Sequence, residues 1–210
     1  MKLENPKGRK IDARHRTKKE EFDLGAIRQK WERHLARVRR ALMKLDGDEL
    51  VSGLNGYLYM LSSEKRPAEM LLLLHGASPE TFWKVFLTQW PSCDRTWEDT
   101  NSLIGQLRKA SSKVSAYAYS DDASRAFYDN LPDDVHVYRG CSRERIGGIA
   151  WTTDKSIAAG FAHGHRGIEV LDPVIVTATI PKTDIFSVFD DRQESEVVCC
   201  PRQILEILSA

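Results

Sequence analysis

Apolar residues recur along the first half of the chain at helical spacing. Ile27, Trp31, Leu35, Val38, Leu42 and Leu45 step by four, four, three, four and three residues, one stripe of an α-helix. Arg28, Arg33, Arg37, Arg40 and Lys44 fall elsewhere on its surface, and Gly47 follows as a stop. A second apolar segment runs from about Leu50 to Leu61, and a third from Ala68 to Leu74 ends near Gly76. Ser78, Pro79 and Glu80 then supply an N-cap, a proline at the first helical position and a first-turn acid. The helix they open gathers Phe82, Trp83, Phe86 and Trp90 before Pro91 ends it. Further helices are predicted from Thr96 to about Ser111 and, with Ser120 as N-cap, on to about Asn130.

The period changes after Pro132. Short β-like runs follow at Val135 to Gly140, Ile149 to Thr153, Val174 to Ile180, Ile185 to Phe189, Glu194 to Cys200 and Ile204 to Leu208. One helix interrupts them, capped by Asp154, running from Lys155 to about His163 and ended by Gly164. Helices first and strands afterwards predict an α+β fold rather than α/β. The chain divides on this reading into a basic arm over residues 1–20, a helical region over 21–131 and a β-rich core over 132–210.

Composition adds bounds. With 41% apolar and 29% charged residues over 210 positions, a buried core is within reach and extended disorder is not expected. The net charge of +1 hides an uneven distribution, since residues 1–20 hold eight Lys or Arg against three acids. That stretch is expected to be a flexible, solvated tail, with contact to nucleic acid as the less favoured reading. No apolar run follows it to make a secretory signal, and no stretch approaches the length of a membrane span. Cys93, Cys141, Cys199 and Cys200 contain no Cys-x-x-Cys pair, which fits a reduced, cytoplasmic chain without membrane partners. His163 and His165 with these cysteines match no zinc spacing, so no metal is expected. The aromatic group from Phe82 to Trp97 reads as helix core, with a docking face for a protein target as the alternative.

Three segments carry candidate chemistry. Arg139 ends a strand and is followed by Gly140; a planar guanidinium suits phosphate, and a glycine beside it lets a ligand approach the backbone. Trp151-Thr152-Thr153 closes another strand ahead of the Asp154-capped helix. Glu194-Ser195-Glu196 precedes Val197-Val198-Cys199-Cys200, and period-2 alternation in a strand would put both glutamates on one face. Two carboxylates so placed can act on one substrate in different roles. Taken singly, each segment also has an ordinary structural explanation: a salt bridge, a helix cap, a solvated strand face.

Their order is more specific. A strand arginine, an aromatic-Thr-Thr before an alanine-rich helix containing Phe161, and a Glu-x-Glu opening a valine-rich strand together resemble the arginine–serine–glutamate class of mono-ADP-ribosyltransferases. The resemblance covers Val135 to the C-terminus and implies a small mixed or antiparallel β-sandwich as an ADP-ribosyltransferase-like core. It implies NAD as substrate, with ADP-ribose passing to a protein side chain, arginine by the Glu-x-Glu pattern, and nicotinamide released. Arg139 would hold the phosphates and nicotinamide ribose, and the Gly140 backbone the carboxamide. Thr152, or Thr153 one position on, stands where the class has the first serine of Ser-Thr-Ser, a departure of this sequence. Phe161 would stack on the nicotinamide, Glu196 would bind the ribose 2′-hydroxyl as the catalytic glutamate, and Glu194 would orient or deprotonate the acceptor. Two alternatives stay open: an NAD glycohydrolase, and a non-catalytic interaction protein with a degenerate NAD-binding fold. The target protein and the setting (delivered effector, phage enzyme or toxin–antitoxin pair) are not legible.

Overall fold

The computed structural model describes residues 24–94, 96–164, 169–190 and 194–210. The basic arm and His165 lie outside them. The chain divides into two units, Met1–Arg40 and Ala41–Ala210. Helix α1 (Leu24–Leu42) supplies nearly all that is described of the first, where Arg28 pairs with Glu32 at 3.2 Å and Trp31 stacks on His34 at 5.5 Å.

The second unit begins with five helices: α2 (Gly47–Tyr59), α3 (Arg66–Leu73), α4 (Pro79–Gln89), α5 (Thr100–Ser111) and α6 (Asp122–Asn130). Their differences from expectation have local causes. Gly47, with φ of +50°, opens α2 rather than merely ending the helix before it. Helix α5 starts four residues late because residues 96–99 form turns that set Trp97 against the Arg145 guanidinium, 4.0 Å from the ring centre. Asp121, not Ser120, caps α6 by accepting from the Ser124 amide at 2.7 Å, while the Ser120 hydroxyl bonds back to the Ala116 carbonyl. The α4 start is as predicted, with Ser78 Oγ accepting from the Thr81 amide at 3.1 Å. Phe82, Trp83, Phe86 and Trp90 are no more than 4% exposed, so these four form core, while Trp97 is half-buried. Trp83 satisfies its indole N–H on the Val114 carbonyl at 2.9 Å.

Six strands follow: β1 (Asp134–Ser142), β2 (Ala150–Thr152), β3 (Pro173–Pro181), β4 (Ile185–Phe189), β5 (Glu196–Cys199) and β6 (Glu206–Ser209). With α7 (Lys155–Ala162) among them, the class is α+β. The expected sandwich is replaced by a single antiparallel sheet in the order β4-β5-β2-β1-β3-β6. The reason lies in β1, which pairs along its whole length with β3 on one side and still meets β2 on the other at Tyr138↔Thr152. That one pair joins two three-stranded halves which would otherwise be separate sheets.

Register aligns the apolar residues. On one face of β1 and β3, Val135 stands opposite Ile180, Val137 opposite Ala178 and Cys141 opposite Val174, all in the sheet's buried cluster with Trp151, Val188 and Val197. Phe127, Tyr128 and Leu131 from the end of α6 pack against that cluster. The other face of β1 receives α7, and here Gly140 is indispensable: a Cβ would stand 1.7 Å from the Ala158 carbonyl oxygen. The glycine expected to admit a ligand also makes room for a helix. Gly140→Ala is expected to destabilise the protein by about 3 kcal/mol or more through overpacking against backbone. Gly56→Ala, at an exposed helical position with open space around it, is expected to stabilise it by about 0.5–1 kcal/mol. Urea unfolding of the two variants checks both signs.

Candidate active site

Beyond Tyr138↔Thr152 strands β1 and β2 part, and a cavity of about 620 Å³ opens there. Its wall includes every site residue expected from sequence except Thr153: Arg139, Gly140, Thr152, Phe161, Glu194 and Glu196. Thr153 stays close, donating its amide to the Ser195 carbonyl at 3.1 Å.

Arg139 lies within β1 rather than at its end, on the same face as Val137 and Cys141 and opposite Val176. An arginine in an apolar row must find acceptors, because an unpaired buried charge is costly. Nη1 donates to the Ala150 carbonyl at 2.6 Å and Nε to the Arg145 carbonyl at 3.3 Å, so the side chain clasps β2 where the backbone ladder stops. Burial pulls the guanidinium below its ordinary pKa, opposed by the Cys141 sulfur, the Cys199 sulfur and the Glu196 charge. Gly148 leaves room for it, since a Cβ there would stand 2.2 Å from Nη2. Two of the five donors an arginine offers are thus committed to carbonyls, which narrows but does not exhaust its capacity for a ligand.

Thr152 is 4% exposed and pairs with Glu196 across β2 and β5. Its hydroxyl donates to the Glu194 carbonyl at 2.7 Å and accepts from the Asp154 amide at 3.0 Å. One side chain therefore ties the Glu-x-Glu segment to the start of α7, where Asp154 caps the Ser156 amide at 2.7 Å.

The alternation argument for the glutamates fails. Strand β5 begins at Glu196, and Ser195 has φ of +46°. The left-handed residue breaks the period-2 pattern, so Glu194 belongs to a turn held by the Thr152 and Thr153 bonds. The two carboxylates still line the same cavity, brought there by the turn instead of by a common strand face.

Several site residues were not foreseen. Trp90 donates its indole Nε1–H to Glu196 Oε1 at 2.8 Å, joining the helical half to the sheet half. Its neighbour Pro91, Trp97 and Arg145 also line the cavity. A signal for Trp90 did exist. It stands next to a proline at a helix end, and a buried indole requires an acceptor. Cys93 lines the same wall, and its thiol is pushed up to about 12 by burial, with Arg66 opposing and the Asp94 and Glu196 charges adding to the rise.

Among the described residues, no group of three His, Cys, Asp or Glu side chains is placed to share a metal ion, and no helix is long and apolar enough to cross a membrane. All four cysteines are free thiols. Comparison of the chain with protein families, curated proteins and solved structures finds no match.

The thiol provides a reporter. Because the thiolate is the reactive form, Cys93 with a pKa of about 12 should hold about one part in 10⁴ as thiolate at pH 8. Its alkylation in native protein is expected to climb about tenfold per pH unit up to that value. Glu196→Gln removes a negative charge that raises the pKa, so the whole profile should move to lower pH. Mass-spectrometric rates for the Cys93 peptide measure both.

Proposed function

We propose that the chain is an NAD-dependent mono-ADP-ribosyltransferase that modifies a protein side chain and releases nicotinamide. The observation that carries this reading is convergence: an arginine, a threonine and two glutamates spread from Arg139 to Glu196 line one cavity. Its volume of about 620 Å³ lies within the ordinary range for small-molecule sites. The sheet, with α7 against β1, is the element that would serve as the ADP-ribosyltransferase-like core.

On this reading the bond between the ribose C1′ and nicotinamide breaks, and nicotinamide leaves with the electron pair. Positive charge grows at C1′ as in glycoside hydrolysis. Glu196, accepting from the ribose 2′-hydroxyl, stabilises that charge more in the transition state than in the ground state, which is what lowers the barrier. Arg139 turns the donors not spent on carbonyls toward the diphosphate. Phe161, half-buried on the wall, offers a ring face to the nicotinamide. Thr152 acts on the ligand indirectly, by fixing the Glu194 backbone. The acceptor, an arginine side chain, forms the new bond to C1′ and loses its proton to Glu194, whose carboxylate pairs with an incoming guanidinium.

Incubation of the wild type and Glu196→Gln with labelled NAD and a cell lysate is the test. Wild type is expected to release nicotinamide and label a protein, and the variant to do so at least about 10²-fold more slowly. Nicotinamide release by wild type without any labelled protein would assign water as acceptor, making the chain a glycohydrolase. Equal nicotinamide and equal label from both proteins would overturn the role given to Glu196.

A further inference from the structure

The helical half reaches the cavity through Glu64 and through the chain that follows α4. Immediately after α4, Trp90–Ser92 form a 3₁₀ turn. Trp90 is 2% exposed, its ring stacks on Phe86 at 5.1 Å, and its N–H points at Glu196 Oε1, 2.8 Å away. An indole N–H can only donate, so this bond favours one orientation of the carboxylate and cannot be replaced by a rotated hydroxyl or a flipped amide.

The turn itself is unusually well held. Arg66, buried at the start of α3, donates through Nη1 to the Ser92 carbonyl at 2.7 Å and to Ser92 Oγ at 2.6 Å. Its other donors go to the Leu58 carbonyl and the Leu61 carbonyl, each at 3.0 Å. The Ser92 hydroxyl passes a bond on to the Gln89 carbonyl at 2.9 Å, and the Asp94 amide bonds the Ser63 carbonyl at 3.0 Å. A cation that bonds three backbone carbonyls and one serine and lies over the Tyr59 ring at 5.5 Å is committed to the fold. Its effect is to fix the turn that presents the indole N–H of Trp90 to Glu196.

We propose that Trp90 is a positioning residue for Glu196, holding the carboxylate at the angle from which it meets the ribose, with Arg66 and Ser92 as the mount for the indole. The inference rests on the transferase reading above. It assigns the helical region a part in catalysis that the resemblance, confined to residues from Val135 onward, does not contain.

The experiment uses the full chain and three proteins beside wild type: Glu196→Gln, Trp90→Phe, and Trp90 replaced by benzothienylalanine, which keeps the ring shape and puts sulfur in place of the N–H. Nicotinamide release gives kcat and KM for NAD, and thermal unfolding reports the fold. A slow Glu196→Gln first upholds the parent reading. Given that, Trp90→Phe and the sulfur isostere are expected to lower kcat by about 10- to 100-fold, the scale of a misplaced catalytic group. KM should stay within about twofold, and the isostere should melt as wild type does. Should Trp90→Phe melt early, the isostere decides alone. A wild-type kcat in the isostere would overturn the positioning role while leaving Glu196 in place. A drop in kcat matched by a rise in KM would reassign Trp90 to NAD binding and overturn it as well. Glu196→Gln as fast as wild type would remove both readings together.

Discussion

The second unit depends on how one half-buried guanidinium is satisfied. Alternation along β1 puts Arg139 in the same row as Val135, Val137 and Cys141, where its neighbours along the strand are apolar. Desolvating an arginine costs several kcal/mol unless acceptors surround it. The Ala150 and Arg145 carbonyls meet that need, and only because β2 swings away from β1 after a single pair does the side chain have the space to reach them. Gly148 keeps that space open. The parting of the strands, the cavity and the arginine are one feature seen from three sides.

Everything at the carboxylate end follows from where β2 comes to rest. Strand β2 pairs with β5 at Ala150↔Val198, Trp151↔Val197 and Thr152↔Glu196, so shifting β2 shifts Glu196 by the same amount. Thr152 then reaches past the end of the ladder to the Glu194 carbonyl, and Thr153 takes the Ser195 carbonyl. These bonds hold Ser195 at a positive φ that a non-glycine residue adopts at a cost of order 1–3 kcal/mol. What they maintain in return is a turn that brings a second carboxylate onto the cavity wall.

Sequence made the elements legible wherever a local rule sufficed. The Ser78-Pro79-Glu80 start, the Asp154 cap and the valine-rich strands needed no tertiary information, and the structure has each of them. The cavity wall was legible as membership but not as geometry. Glu194 and Glu196 do line one cavity, yet the strand-face reason for grouping them fails, because no alternation rule anticipates a left-handed serine between them. Gly140 was read only as an opening for a ligand; the close approach of α7, two elements later in the chain, cannot be seen from its neighbours. A sandwich was expected where one pair, Tyr138↔Thr152, makes a single sheet. Trp90 was placed in the core with Phe82, Trp83 and Phe86, and it is buried. Its bond to Glu196 joins residues 106 positions apart, beyond the reach of any pattern within a helix.

The charges around the cavity bear on how a dinucleotide would lie in it. Glu64, Asp94, Glu98, Glu169, Glu194 and Glu196 line it together with Arg139 and Arg145. On the proposed reading a diphosphate placed among the acids would be repelled, so it would take its bonds from the arginines, where β1 and β2 part. Arg145 is poised over the Trp97 ring and pairs with Glu144 at 3.4 Å. The Glu196 charge acts on the Arg139 guanidinium, so the proposed catalytic carboxylate and the proposed phosphate-binding arginine are neighbours on one wall. A cationic acceptor would be drawn to the same acids that repel the phosphates, which on this reading would bring the two substrates together at Glu196.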